Sequence, residues 1–200
     1  MASAHNDEDP SIKGGAALLI IDMISTMDFE HAALIKDRAI MAARAIRALR
    51  ADASRAKLPV IYVNDNYGQW TSGRQQLVAV CERANTIGAE LVRLLRPRKH
   101  DIFIIKPRHS GFYATNLQAL LPRLGVSRLI LTGMATDMCV LFTAADAHMR
   151  DYKLWVPENC VAAPTREGQA FALRLLARHM GVNTQGSTDC SLSQWLAMQP

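Results

Sequence analysis

Leu129-Ile130-Leu131-Thr132-Gly133-Met134-Ala135-Thr136-Asp137-Met138-Cys139-Val140 is the stretch on which the reading of this chain turns. It opens as an apolar run of strand character, breaks at a glycine, and begins a helix with a cysteine in its first turn. The helix continues through Leu141, Ala144, Ala145 and His148, with Asp137 or Thr136 placed to cap it. A helix N-terminus presents unpaired N–H groups and a partial positive charge, and both favour a thiolate over a thiol. A cysteine here has two readings, a packed core thiol or a nucleophile. The choice depends on what else the fold brings to it.

Outward from this stretch, strand and helix patterns alternate along the chain. Apolar runs at 16–21, 60–63, 101–105, 127–132 and 153–156 read as strands covered on both faces, and 182–184 as a last edge strand. Helical spacing predicts a long helix over 31–55, with Leu34, Ile35, Ile40, Met41, Ala45, Ile46 and Leu49 on its apolar face. Further helices are predicted over 74–95 with a break near 85–88, over 115–121, 165–180 and 192–198. There is no linker and no internal repeat. The expected architecture is α/β: a single doubly wound, Rossmann-like domain over 14–200, with a mainly parallel six-stranded sheet and helices on both faces. Residues 1–13 are expected to form a flexible arm.

Composition narrows the class. Of the 200 residues, 50% are hydrophobic and 20% charged, as in ordinary globular chains. Cys81, Cys139, Cys160 and Cys190 lie far apart with no C-x-x-C spacing, which argues against a zinc ribbon or a disulfide scaffold. The polar, acidic start is no signal peptide, and 16–21 is too short to cross a bilayer, so a cytoplasmic protein without membrane attachment is expected. The net charge of +5 has its densest cluster at Arg93, Arg96, Arg98, Lys99 and His100. That cluster closes a helix, where cations are favoured, and no aromatic residues interleave with it. It reads as a solvated helix end and not as a nucleic-acid surface.

In an open parallel sheet, sites form beyond the carboxyl ends of the strands, where strand order reverses. Asp22 follows the first strand, Lys106 the third and Cys139 the fourth. An acid, an amine and a thiol at one edge make a nucleophile, its activator and an electrostatic partner.

Three separated blocks now carry a resemblance: Ala17-Leu18-Leu19-Ile20-Ile21-Asp22-Met23, Lys106-Pro107-Arg108-His109-Ser110-Gly111-Phe112-Tyr113, and Gly133-Met134-Ala135-Thr136-Asp137-Met138-Cys139-Val140. With a fourth block running from Thr143 to Val161, the chain resembles the isochorismatase-like cysteine hydrolases, which include nicotinamidases and N-carbamoylsarcosine amidase. The resemblance implies the isochorismatase-like fold and a catalytic triad of Asp22, Lys106 and Cys139. It also implies a cis peptide between Met134 and Ala135, and an oxyanion hole of the Ala135 and Cys139 N–H groups. The implied activity is hydrolysis of a C–N bond in a small amide, carbamoyl or imide substrate through a thioester, with a homodimeric or homotetrameric assembly and no cofactor. Vinyl-ether hydrolysis, or a thiol-based redox or binding role, are the alternatives.

Departures from the family narrow the chemistry. Nicotinamidases hold a metal with an aspartate and histidines after strand two, whereas here 64–70 read Asn-Asp-Asn-Tyr-Gly-Gln-Trp, without histidine. One carboxylate and some amides make a poor transition-metal site, so no metal is expected. Ile24 stands where the family has a polar residue near the pocket. The expected substrate-binding residues are Asn66, Tyr67, Trp70, His109, Phe112 and Tyr113.

Overall fold

In the computed structural model, described for residues 15–30, 32–65, 73–83 and 87–198, strands and helices follow the order β1 (Gly15–Ile21), α1 (Ala32–Arg55), β2 (Val60–Asp65), α2 (Arg74–Cys81), α3 (Ile87–Leu95), β3 (Ile102–Lys106) and α4 (Leu117–Arg123). There follow β4 (Val126–Met134), a π-helical turn (Thr136–Val140), α5 (Leu141–His148), β5 (Lys153–Trp155), a 3₁₀ turn (Glu158–Cys160), β6 (Val161–Ala162), α6 (Arg166–Met180) and α7 (Leu192–Ala197). The expected N-terminal arm lies outside the described residues.

The sheet is parallel throughout, in the order β3-β2-β1-β4-β5, with β6 pairing the end of β4. Chain order runs outward from β1 to β3, then resumes on the other side at β4, so the switch point lies between β1 and β4. One expectation needs correction. The sixth strand is the two-residue β6, beside Gly133 and Met134; 182–184 contributes one isolated bridge, Trp155 to Asn183.

Alternation along the strands sorts the core. Ala16, Leu18 and Ile20 of β1, with Val60 and Tyr62 of β2, face α1, α2, α3 and α7. Ala17, Leu19 and Ile21, with Ile61, Val63, Leu129 and Leu131, face α4, α5 and α6. Helix α1 buries Ile35, Ala39, Ala42, Ala43, Ile46, Leu49 and Ala53. Leu34 and Met41, expected on that face, are exposed, because the buried row runs at a helical period from Ile35 and both fall off it. Thr165 caps α6 by accepting from the Gly168 N–H, and Ser191 and Gln194 form a capping box at α7. Among the described residues no helix is long and apolar enough to cross a membrane.

Candidate active site

Register fixes what meets at the carboxyl edge of the sheet. Ile21 lies beside Gly133 and Val63, and Asp65 beside Lys106. Lys106 continues the face of Ile104, and Asp65 that of Ile61 and Val63, so both point toward the layer of α5. Asp22, one residue past β1, has φ of 54°, a left-handed conformation that aspartate tolerates better than most residues. Gly133 has φ of 112°, and a Cβ there would stand 2.0 Å from the Ile21 carbonyl oxygen. Only glycine lets β4 run this close to the strand that delivers Asp22. The Met134–Ala135 peptide is cis.

These elements gather a charged cluster around Lys106, whose side chain is fully buried. Its Nζ lies 2.8 Å from Asp22 Oδ2 and 3.6 Å from Asp65 Oδ2, and donates to Cys139 Sγ at 3.4 Å. The Asp65 backbone N–H donates to Asp22 Oδ1 at 2.7 Å. Asn64, buried beside it, donates to the Ile24 carbonyl and accepts the Ile24 N–H, which fastens the segment leaving Asp22. Thr143 accepts the Gly111 N–H and donates to the Cys139 carbonyl, tying the segment after β3 to the cysteine turn.

The protonation states differ from the sequence expectation. Burial, followed by the Asp22 carboxylate, pushes the Cys139 thiol up to about 12, against the opposing pull of Lys106. The resting sulfur is therefore a thiol. Burial also raises Asp22, opposed by Lys106. Burial works against the Lys106 charge, but Asp22, Cys139 and Asp65 together outweigh it and hold the ammonium more firmly than usual. Capping needs correction as well. Cys139 sits in the π-helical turn ahead of α5, Ala135 precedes that turn, and Thr136 and Asp137 lie within it without capping it. The Ala135 carbonyl accepts the Met138 and Val140 N–H groups.

Of the expected substrate-binding residues, His109 lies with Nδ1 3.9 Å from Cys139 Sγ and its ring against Phe142. Tyr113 is exposed nearby in the chain. Phe112 is buried, with its ring 6.0 Å from that of Tyr152 and 5.0 Å from the Arg150 guanidinium, a packed position that a flanking aromatic readily fills. Asn66, Tyr67 and Trp70 lie outside the described residues. Asp65, Asn64 and Thr143 escaped sequence reasoning; only the pairing of β2 with β3 reveals the first. Among the described residues no cluster of three or more His, Cys, Asp or Glu is arranged to hold a metal. A cavity of about 570 Å³ between α1 and α6 and another of about 360 Å³ beside α2 contain none of the charged cluster; both are grooves between surface elements.

Comparison with known proteins bears on the family and the fold. The chain is 37% identical over 164 residues to the isochorismatase family protein YaaI of Bacillus subtilis, covering 82% of this chain and 90% of that one. An isochorismatase family protein of Desulfovibrio vulgaris superposes with a TM-score of 0.74 at 27% identity, covering 93% of this chain and all of that one. N-carbamoylsarcosine amidase of Thermoplasma acidophilum gives a TM-score of 0.67 at 29% identity, covering 88% of this chain and 99% of that one. Residues 16–189 match the isochorismatase domain, and the chain belongs to the isochorismatase family of hydrolases.

Proposed function

We propose that this chain hydrolyses the C–N bond of a small amide, carbamoyl or imide substrate through a thioester on Cys139. The observation that carries the reading is Lys106 Nζ standing within contact of both Asp22 and Cys139 in a buried setting. The likeness to N-carbamoylsarcosine amidase supports the carbamoyl and amide classes.

The proposed mechanism follows from the charges. A thiol held up near 12 does not ionise by itself at neutral pH, so it needs a base at the moment of attack. Asp22 takes that proton while sulfur adds to the carbonyl carbon. The carbonyl π pair moves onto oxygen, against the Ala135 and Cys139 N–H groups; one such donor contributes about 10²–10³ in rate in other enzymes. Asp22 then returns the proton to the leaving nitrogen, the C–N bond breaks and the thioester remains. Water, activated by Asp22, cleaves the thioester and frees the acid. Lys106 holds Asp22 and the sulfur in register, and His109 borders the sulfur.

The test is a panel of amides, ureas, carbamoyl compounds and cyclic imides scored for ammonia or amine release, with Cys139→Ser as the blank. The expected result is turnover of at least one class by the parent and loss of about 10³ or more in the variant, with its far-UV spectrum unchanged. Equal turnover by the serine variant rejects the assignment.

A further inference from the structure

We propose that Asp65 is a positioning residue of this centre: the reserve counterion that keeps Lys106 charged and in place while Asp22 and Cys139 are both uncharged. The inference rests on the acyl-transfer reading above and extends it to a residue outside the triad.

The groups facing Lys106 come from three elements. Asp22 arrives from the end of β1, Asp65 from the end of β2 and Cys139 from the π-helical turn, at 2.8, 3.6 and 3.4 Å. His109, on the segment after β3, lies with Nδ1 3.9 Å from the sulfur. With its side chain at 0% exposure, the ammonium has no water to turn to, and an unpaired charge at such depth is strongly unfavourable.

At rest, Asp22 supplies the opposite charge. Attack changes that. The S–H proton passes to the Asp22 carboxylate, the sulfur lone pair forms the S–C bond, and the carbonyl π pair becomes an oxyanion held by backbone N–H groups. In this adduct the sulfur is neutral and Asp22 is a carboxylic acid. Asp22, which carried the charge beside the neutral thiol at rest, has lost it in this step, and Asp65 is the partner that keeps its own. Its placement fits that role. Asp65 is the register partner of Lys106, and its side chain is 35% exposed against 11% for Asp22, so water supports its charge. Its backbone N–H holds Asp22 Oδ1 whatever the carboxyl's protonation.

The test has an equilibrium arm and a kinetic arm, both on the full chain. Asp22→Asn makes the first carboxylate permanently neutral, leaving Asp65 as the carboxylate beside Lys106. Urea unfolding of Asp22→Asn, Asp65→Asn and the double variant forms a cycle. The expected result is a midpoint loss in the double variant larger than the sum of the singles. A double variant that fails to fold where both singles fold is the same result. The excess loss is greatest near neutral pH and fades as pH rises toward the lysine's ordinary value, where the unfolded chain gives up the proton that the folded double variant has already released. Additive losses overturn the proposal.

In the kinetic arm, acylation of Cys139 by 4-nitrophenyl acetate is followed by nitrophenolate release, with Cys139→Ser as blank. Asp65→Asn, which keeps the backbone N–H, is expected to acylate at least about tenfold more slowly than the parent. Equal rates overturn the role in the reaction even where the cycle is non-additive. A parent that is not acylated at all rejects the acyl-transfer reading itself, a result distinct from either failure of Asp65.

Discussion

Strand β3 has a buried ion pair at each end, Arg50–Asp101 just ahead of Ile102 and Lys106–Asp22 where the strand stops. The separations are alike, 2.7 and 2.8 Å, and so is the depth. Their surroundings are not. Arg50 also donates to the Arg96 carbonyl and lies over the Tyr62 ring, while Asp101 also accepts the Arg98 N–H. That pair closes on backbone and an aromatic face, and joins α1 to the approach to β3. Lys106 is shared instead among two carboxylates and a thiol. Burial of a salt bridge therefore does not set the proposed reactive centre apart, since the first pair is as buried as the second. The mark is a surplus of proton-accepting groups around one cation, which lets charge move without separating it.

The strongest test of this contrast exchanges each cation for an apolar residue of similar length. Lys106→Met is expected to lower the acylation rate of Cys139 by about 10²–10³, because the sulfur and Asp22 lose the group that holds them together. Its stability loss is expected to be the smaller of the two, since burial raises Asp22 and, with the lysine gone, lets it take up a proton instead of staying a stranded charge. Arg50→Met is expected to do the reverse. It strands the Asp101 carboxylate and the Arg96 carbonyl and uncovers Tyr62, a change expected to cost about 3–5 kcal/mol, while the protein that remains folded acylates at the parental rate. Urea unfolding and nitrophenolate release on the same two samples check both. A folded but inert Arg50→Met would erase the distinction.

Proton placement sharpens it further. In the proposed mechanism Asp22 acts only when ionised, and burial raises it, so the acid limb of the activity profile is expected above the ordinary carboxylate value of about 4. A higher value for a group that must be deprotonated moves the limb to higher pH. Because the Cys139 thiol is pushed up to about 12, its alkylation by iodoacetamide is expected to climb steadily past the ordinary cysteine value of about 8.5 without levelling there. A plateau near 8 in labelled-peptide yield contradicts that environment. Arg50→Met is expected to leave both profiles unmoved.

These differences also explain what the amino-acid sequence revealed and what it concealed. Short apolar runs separated by helical spacing identified β1 to β5, because a strand covered on both faces has no polar side to confuse the pattern. The two-residue β6 has too few residues to show a period, and it exists only because the end of β4 offers Gly133 and Met134 as partners. Asp22, Lys106 and Cys139 were legible as residues next after strands or in the turn that follows. Asp65 was not, since its nearness to Lys106 depends on which residue of β2 lies beside which of β3. The preference for a thiolate at a helix start failed for a related reason. That local field is one contribution, and here burial and the neighbouring Asp22 anion outweigh it.

The smallest expected effect separates side chain from backbone at the structural end of β3. Arg96 enters the Arg50 network through its carbonyl, which accepts from Arg50 Nη1 at 3.0 Å. Its own guanidinium meets Glu82 at 2.7 Å, with the two side chains 65% and 30% exposed. Arg96→Gln removes the second interaction and leaves the first intact. An exposed pair gives up much of its attraction to solvent screening and side-chain entropy, so the expected loss is below about 1 kcal/mol, and it shrinks further with added salt. Acylation of Cys139 should not change, because the substitution lies at the opposite end of the strand from the sulfur. A loss approaching that of Arg50→Met would mean that the Arg96 side chain, and not its carbonyl alone, holds the approach to β3; the two arginines would then belong to one buried unit, and the structural end of the strand would extend to the surface.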